Sequence, residues 1–153
     1  MDTKGIIAAI KTALQGAAGL SYVADASIYI TPDESLFYMT KAFPQITITD
    51  GGVEHVIEEG ESWEKNYTIS LSVYQLLEDE DYSLMGNAAP LIYGVLDIVA
   101  DIHSVLFDNK LSLSGIEVAV PSGEAEAVFL EGDDMSVIKK TIDYSYRSLE
   151  SNP

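Results

Sequence analysis

The stretch WEKNYTISLSVYQLL, residues 63–77, decides the fold. Trp63, Tyr67, Ile69, Leu71, Val73 and Leu77 share one parity, and Glu64, Asn66, Thr68, Ser70 and Ser72 share the other. Successive side chains of a strand point to opposite faces, so this alternation predicts a long strand with one buried and one wet face. Roughly 12 residues of strand reach about 40 Å at about 3.3 Å per residue, long enough for the centre of a sheet. Alternation in place of a continuous apolar run points to an antiparallel sheet covered on one side. The helical pattern that follows it is the natural cover.

Working outward, residues 3–15 carry Ile6, Ile7, Ile10 and Leu14 at helical spacing, opposite Lys4, Lys11 and Gln15. This predicts an N-terminal helix ended by Gly16 and Gly19. Residues 27–31 (SIYIT) read as a short strand stopped by Pro32, residues 35–41 as an irregular loop, and residues 43–49 (FPQITIT) as a further strand. Asp50, Gly51 and Gly52 read as a turn, with residues 53–58 returning as a second strand. The resulting acidic excursion, residues 53–61, is too small to own a core and must lean on the sheet or on another molecule.

Downstream, the acidic tetrad Glu78, Asp79, Glu80 and Asp81 leads into a helical region. Asn87 reads as its N-cap and Pro90 as a first-turn residue. The stripe Leu91, Val95, Ile98, Val99, Ile102 and Leu106 faces the sheet along roughly 28 Å of helix, with Asn109 as a left-handed stop. Residues 113–120 and 124–130 read as a hairpin around Pro121, Ser122 and Gly123. Residues 135–149 read as a second long strand, with Ile138, Ile142, Tyr144 and Tyr146 inward and Lys140 marking a bulge or an edge. The sum is one α+β domain over residues 1–150, a mainly antiparallel sheet covered on one face by an N-terminal helix and one long central helix. Residues 151–153 form a loose tail.

The 153 residues include 8 basic and 25 acidic ones, a net charge of −17. Such a surface repels nucleic-acid phosphates, which argues against sequence reading. Without cysteine there is no disulfide, thiolate metal site or cysteine nucleophile. No run of 18 apolar residues exists to form a transmembrane helix, and residues 1–20 read as a helix instead of a leader because Lys11 interrupts the apolar region. His55 and His103 lie in different elements without metal-ligand spacing. No nucleophile elbow, phosphate loop or dinucleotide fingerprint occurs, so neither an enzyme nor a metal or cofactor site is expected. Val56, Ile57 and Trp63 are apolar residues on an element with no room beneath a small sheet, and they read as contacts to another molecule.

The order of an N-terminal helix (GIIAAIKTAL), the FPQITIT strand, an acidic excursion, a long alternating strand ending in VYQLL, one long helix, and a final hairpin plus strand resembles the tail terminator proteins of long-tailed bacteriophages, also called minor tail or tail completion proteins. FPQITIT followed by NYTISLSVY carries most of the likeness. The resemblance implies a homohexameric ring that caps the tail tube, stops its polymerisation and joins the tail to a neck or connector protein. DNA would pass through its lumen without specific binding, and no catalytic residue, cofactor or membrane contact comes with the role. It would belong to the virion tail or neck after assembly in the host cytoplasm. On this reading Val56, Ile57 and Trp63 are candidates for contact with a neighbouring subunit or the tube protein, and Glu78, Asp79, Glu80 and Asp81 are candidates for an acidic lumen loop. Two other readings stay open: another head-to-tail connector or stopper ring, and a monomeric α+β domain that binds a small ligand.

Overall fold

In the computed structural model, which describes residues 2–33, 35–57, 62–131 and 136–151, the alternating stretch is a 15-residue strand, Ser62–Leu76. The chain runs α1 (Thr3–Gln15), β1 (Ile28–Ile30), β2 (Gln45–Ile57), the alternating strand as β3, α2 (Glu80–Met85), the short strands β4 (Asn87–Ala88) and β5 (Leu91–Ile92), α3 (Val95–Leu106), β6 (Ile116–Glu124), β7 (Val128–Glu131) and β8 (Ser136–Ser151). Six strands form one sheet in the order β1-β2-β3-β8-β6, with β7 also paired to β8; β4 and β5 pair with each other. The sheet is antiparallel except for β1, which runs parallel to β2.

The predicted parity of β3 is the one observed. Tyr67, Ile69, Leu71 and Val73 are buried with Ile46 and Ile48 of β2 and Ile142, Tyr144 and Tyr146 of β8. Opposite them in the same core lie Ile6, Ile10 and Leu14 of α1, and Val95, Ile98, Ile102 and Leu106 of α3. Asp2 caps α1 by accepting from the Gly5 amide at 2.8 Å, and Gly16 closes it in a right-handed conformation. Tyr22 ties the segment after α1 to the rest: its ring stacks on Tyr93 at 3.6 Å and its hydroxyl donates to Asp101 at 2.6 Å.

The second face of β3 is not simply wet. Near Gln45 and Tyr74 the loop of residues 35–44 folds over it, and Gln45, Thr47, Ser72 and Tyr74 are all buried. Phe37 stacks on Tyr74 with ring centroids 4.6 Å apart, and the Gln45 amide donates to the Tyr38 and Lys41 carbonyls at 2.6 and 3.1 Å. Polar side chains suit this face because they bond one another across strands: Ser72 with Thr141 at 2.9 Å, and Ser70 donating to Asp143 at 2.6 Å.

Several elements differ from the sequence reading. Residues 50–52 are not a turn; β2 continues through them with a slipped register. The central helix begins at Val95, not at Asn87, because residues 87–92 pair as β4 and β5 around a cis Ala89-Pro90 bond. Leu91 is therefore exposed and leaves the helical stripe. Asp108, rather than Asn109, takes the left-handed conformation after α3, while Asn109 binds the Val105 carbonyl and the Leu111 amide. β6 and β7 do not form a hairpin; both pair with β8 along one edge, and β6 runs through residues 121–123 with a register shift. A second shift between Ile116 and Val118 breaks the expected Ile116, Val118, Val120 parity and buries Ala119. Lys140 marks no bulge of β8, whose ladder with β3 is continuous. The acidic stretch at 58–61, the turn at 132–134 and the tail at 152–153 lie outside the described residues.

Two stability outcomes follow. Leu71→Ala, which empties a fully buried site, should cost roughly 2 to 5 kcal/mol. Ser70→Ala should cost about 1 to 3 kcal/mol because it strips Asp143 of a charged hydrogen bond; urea denaturation of both variants checks the pair. Burial also pushes the Tyr144 phenol up to about 12 and raises that of Tyr146. Unfolded tyrosines ionise near about 10, so this contribution is intact below about pH 10 and is lost as pH climbs toward about 12. Melting temperatures should fall across that window. The Tyr146 hydroxyl has no partner among the described residues, so Tyr146→Phe should shrink the fall and stabilise the neutral-pH protein by about 1 kcal/mol.

Candidate functional site

At about 3.4 Å per residue β3 is about 50 Å long, and the two sequence-predicted sites lie beyond its opposite ends. Val56, Ile57 and Trp63 are brought together at one end; the tetrad Glu78, Asp79, Glu80 and Asp81 is at the other. The structure does not join them into one site.

The first end is an arm built from the far half of β2, the start of β3 and the end of β8. Gly51 and Gly52 create it. Asp50 stands opposite Ile69 and Val53 opposite Tyr67, so two glycines face Thr68 alone. A Cβ on Gly51 would sit 2.8 Å from the Thr68 carbonyl oxygen, and Gly52 has φ +100°. This bulge shifts the parity of β2, placing Val53 and His55 beside Tyr67 and Lys65 on the helix-side face, and Glu54 and Val56 on the other. Residues 51–56 are exposed throughout.

Within the arm, Ile57 pairs with Trp63 and Val56 with Glu64. Trp63 is half-buried, with the His55 ring 5.6 Å away and the Lys65 ammonium 5.2 Å from its ring centre. Its indole N–H is buried without an acceptor among the described residues. Leu149 stands across Glu64 from Val56, and both apolar side chains are 42% exposed, so the reverse face of the arm carries an uncovered apolar pair. The sequence reading missed Leu149. The signal was available, since Leu149 falls on the polar parity of β8.

At the second end, Asp79 caps α2 by accepting from the Tyr82 amide at 3.1 Å, and Glu80 and Asp81 fill the first turn. Negative charge there complements the positive end of the helix dipole, which gives three of the four acids a local role. All four remain exposed. Beside them Met85 and Leu91 are 63% and 67% exposed, an apolar feature the helix reading of residues 87–106 concealed. His103 bonds the Tyr144 hydroxyl, far in sequence and structure from His55 against Trp63. Among the described residues no three His, Asp or Glu side chains group as metal ligands.

No protein-family model matches the chain, and no curated protein matches it in sequence. Its backbone does match a solved structure. The fold is that of a chain in the virion of a native gene transfer agent particle. The match covers 95% of each chain with a TM-score of 0.63 at 12% sequence identity. At that identity it speaks for the shared fold.

The bulge is what aims the arm. Gly51→Val should clash with Thr68 and disturb the pairing of residues 53–57 with 63–67, so amide hydrogen exchange there should accelerate at least tenfold while exchange in α1 and α3 stays near wild type. Unchanged arm protection would show that the backbone shifts without cost.

Proposed function

We propose that this chain is a structural virion protein of a phage-related particle, and that it acts as a tail terminator: a ring that caps the tail tube, stops its growth and offers its other side to the neck. The fold likeness to a virion chain across 95% of both chains carries this reading. The apolar arm supports it, because among the described residues Val56 and Leu149 stay exposed on one face, and another molecule would cover them. The net charge of −17 supports a conduit that DNA traverses without adhering. Ring closure around a hexamer, the tube protein and the neck protein as partners, and assembly in the host cytoplasm belong to the same proposal. So does a purely structural role without catalysis.

The arm is assigned to the neighbouring subunit or the tube. Val56→Ser with Ile57→Ser should leave a folded protomer by circular dichroism that no longer occupies tail ends in electron micrographs. If the double variant unfolds, the arm belongs to the protomer's own core. Mixing the wild type with purified tail tubes and with portal complexes separates the terminator from a connector or stopper ring, since only a terminator selects tube ends. A monomer at every concentration in sedimentation would favour a small-ligand binding domain.

A further inference from the structure

Two complementary surfaces lie at opposite ends of α3, about 18 Å apart along a 12-residue helix. At its C-terminal end a groove of about 490 Å³ runs between α1 and the following loop, lined chiefly by Ala8, Ala9, Thr12, Ala13 and Leu111. Lys4 and Lys11 lie one helical turn either side of Ala8, and Lys110 stands on the opposite rim, next to Leu111. Three of the chain's 8 basic residues thus surround one small-residue groove. The acids next to these lysines along the chain are Asp2, already engaged as the α1 cap, and Asp108.

At the N-terminal end of α3 the charge is reversed. Met85 and Leu91 stand uncovered on the walls of a shallow depression of about 520 Å³, and Asp81 lies one turn before Met85 on α2. Leu91 also shares a cleft with Glu78 and Asp79. No Lys or Arg occurs between Lys65 and Lys110 in the sequence, and Lys139 is turned to the Tyr74 ring on the reverse face of the sheet. The patch therefore has apolar side chains without cover and acids without basic partners from its own stretch of chain.

We propose that the acidic, apolar patch around Met85 and Leu91 of one copy docks into the lysine-rimmed groove between α1 and residues 109–112 of the next. The inference rests on the ring reading and deepens it. Patch and groove are different surfaces on one protomer, so the contact is head-to-tail, the kind that closes into a ring when the rotation permits. Met85 and Leu91 fill a groove whose alanines leave room, while the tetrad meets Lys4, Lys11 and Lys110. This places Glu78, Asp79, Glu80 and Asp81 at a subunit contact and not around the DNA passage. The two placements respond oppositely to salt: tetrads converging on a lumen repel, so salt would strengthen the ring, whereas patch–groove attraction is screened and salt weakens it.

The absence of cysteine makes the contact directly testable. Met85→Cys combined with Ala8→Cys in one chain, treated with a short bismaleimide, should give a ladder of covalent multimers up to the ring, whereas either substitution alone should give none. Sedimentation of the wild type should show rings that dissociate as salt rises. Lys4→Glu with Lys110→Glu should weaken assembly at least tenfold, and adding Glu78→Lys and Asp81→Lys to that chain should restore it. Circular dichroism confirms that each variant is folded. Rings by sedimentation with no ladder, or rings that tighten with salt, would overturn the contact and leave the ring reading standing. A wild type that stays monomeric and ignores tube ends would overturn the ring reading and this contact with it.

Discussion

Everything else in the molecule takes its position from the unslipped ladder between β3 and β8, which runs from Ser62 opposite Ser151 to Leu76 opposite Val137. Strand parity has a period of two, so a one-residue slip would carry Ile138, Ile142, Tyr144 and Tyr146 off the helix side and put Lys139, Thr141 and Asp143 under α1 and α3. The cross-strand bonds on the reverse face, Ser70 to Asp143 and Ser72 to Thr141, hold the same register from the other side. β8 is bonded along both edges, to β3 and to β6 and β7. That explains Lys140. It sits on the core parity at the point where β6 gives way to β7, and its ammonium reaches the Ala125 carbonyl at 2.8 Å and Glu124 at 3.3 Å.

A mismatch of lengths then creates the surfaces on which function is proposed. Helices of 13 and 12 residues span about 18 to 20 Å, and strands of 15 and 16 residues span about 50 Å. Two such helices cannot roof the whole sheet. The helices cover the middle, and the loop of residues 35–44 covers part of the reverse face. The arm at one end keeps Val56 and Leu149 bare. An isolated protomer therefore leaves apolar area in water at places fixed by geometry.

Charge is distributed with the same asymmetry. Acids concentrate around α2, while lysines gather along α1 and at the loop after α3. Exposed charges contribute little to the stability of one protomer. Between copies they select orientation, because like-facing ends repel and unlike ends attract.

By itself the sequence determined the long alternating strand, the N-terminal helix, the inward parity of β3 and β8, the acidity, and the candidate residues at both ends. Each of these depends on local periodicity or on composition, which a chain carries without folding. What it misjudged turned on partners distant along the chain. Gly51 and Gly52 have the chemistry of a turn and of a bulge alike, and only the continued pairing of Val53 with Tyr67 distinguishes them. Residues 87–92 carry a helix-start signal, yet the pairing of Asn87 with Ile92 overrides it and exposes Leu91. Ser72 and Tyr74 sit on a polar parity that reads as wet until a loop from residues 35–44 closes over them. The tertiary structure decided which ends stay uncovered, since that depends on helix length measured against strand length once both are packed.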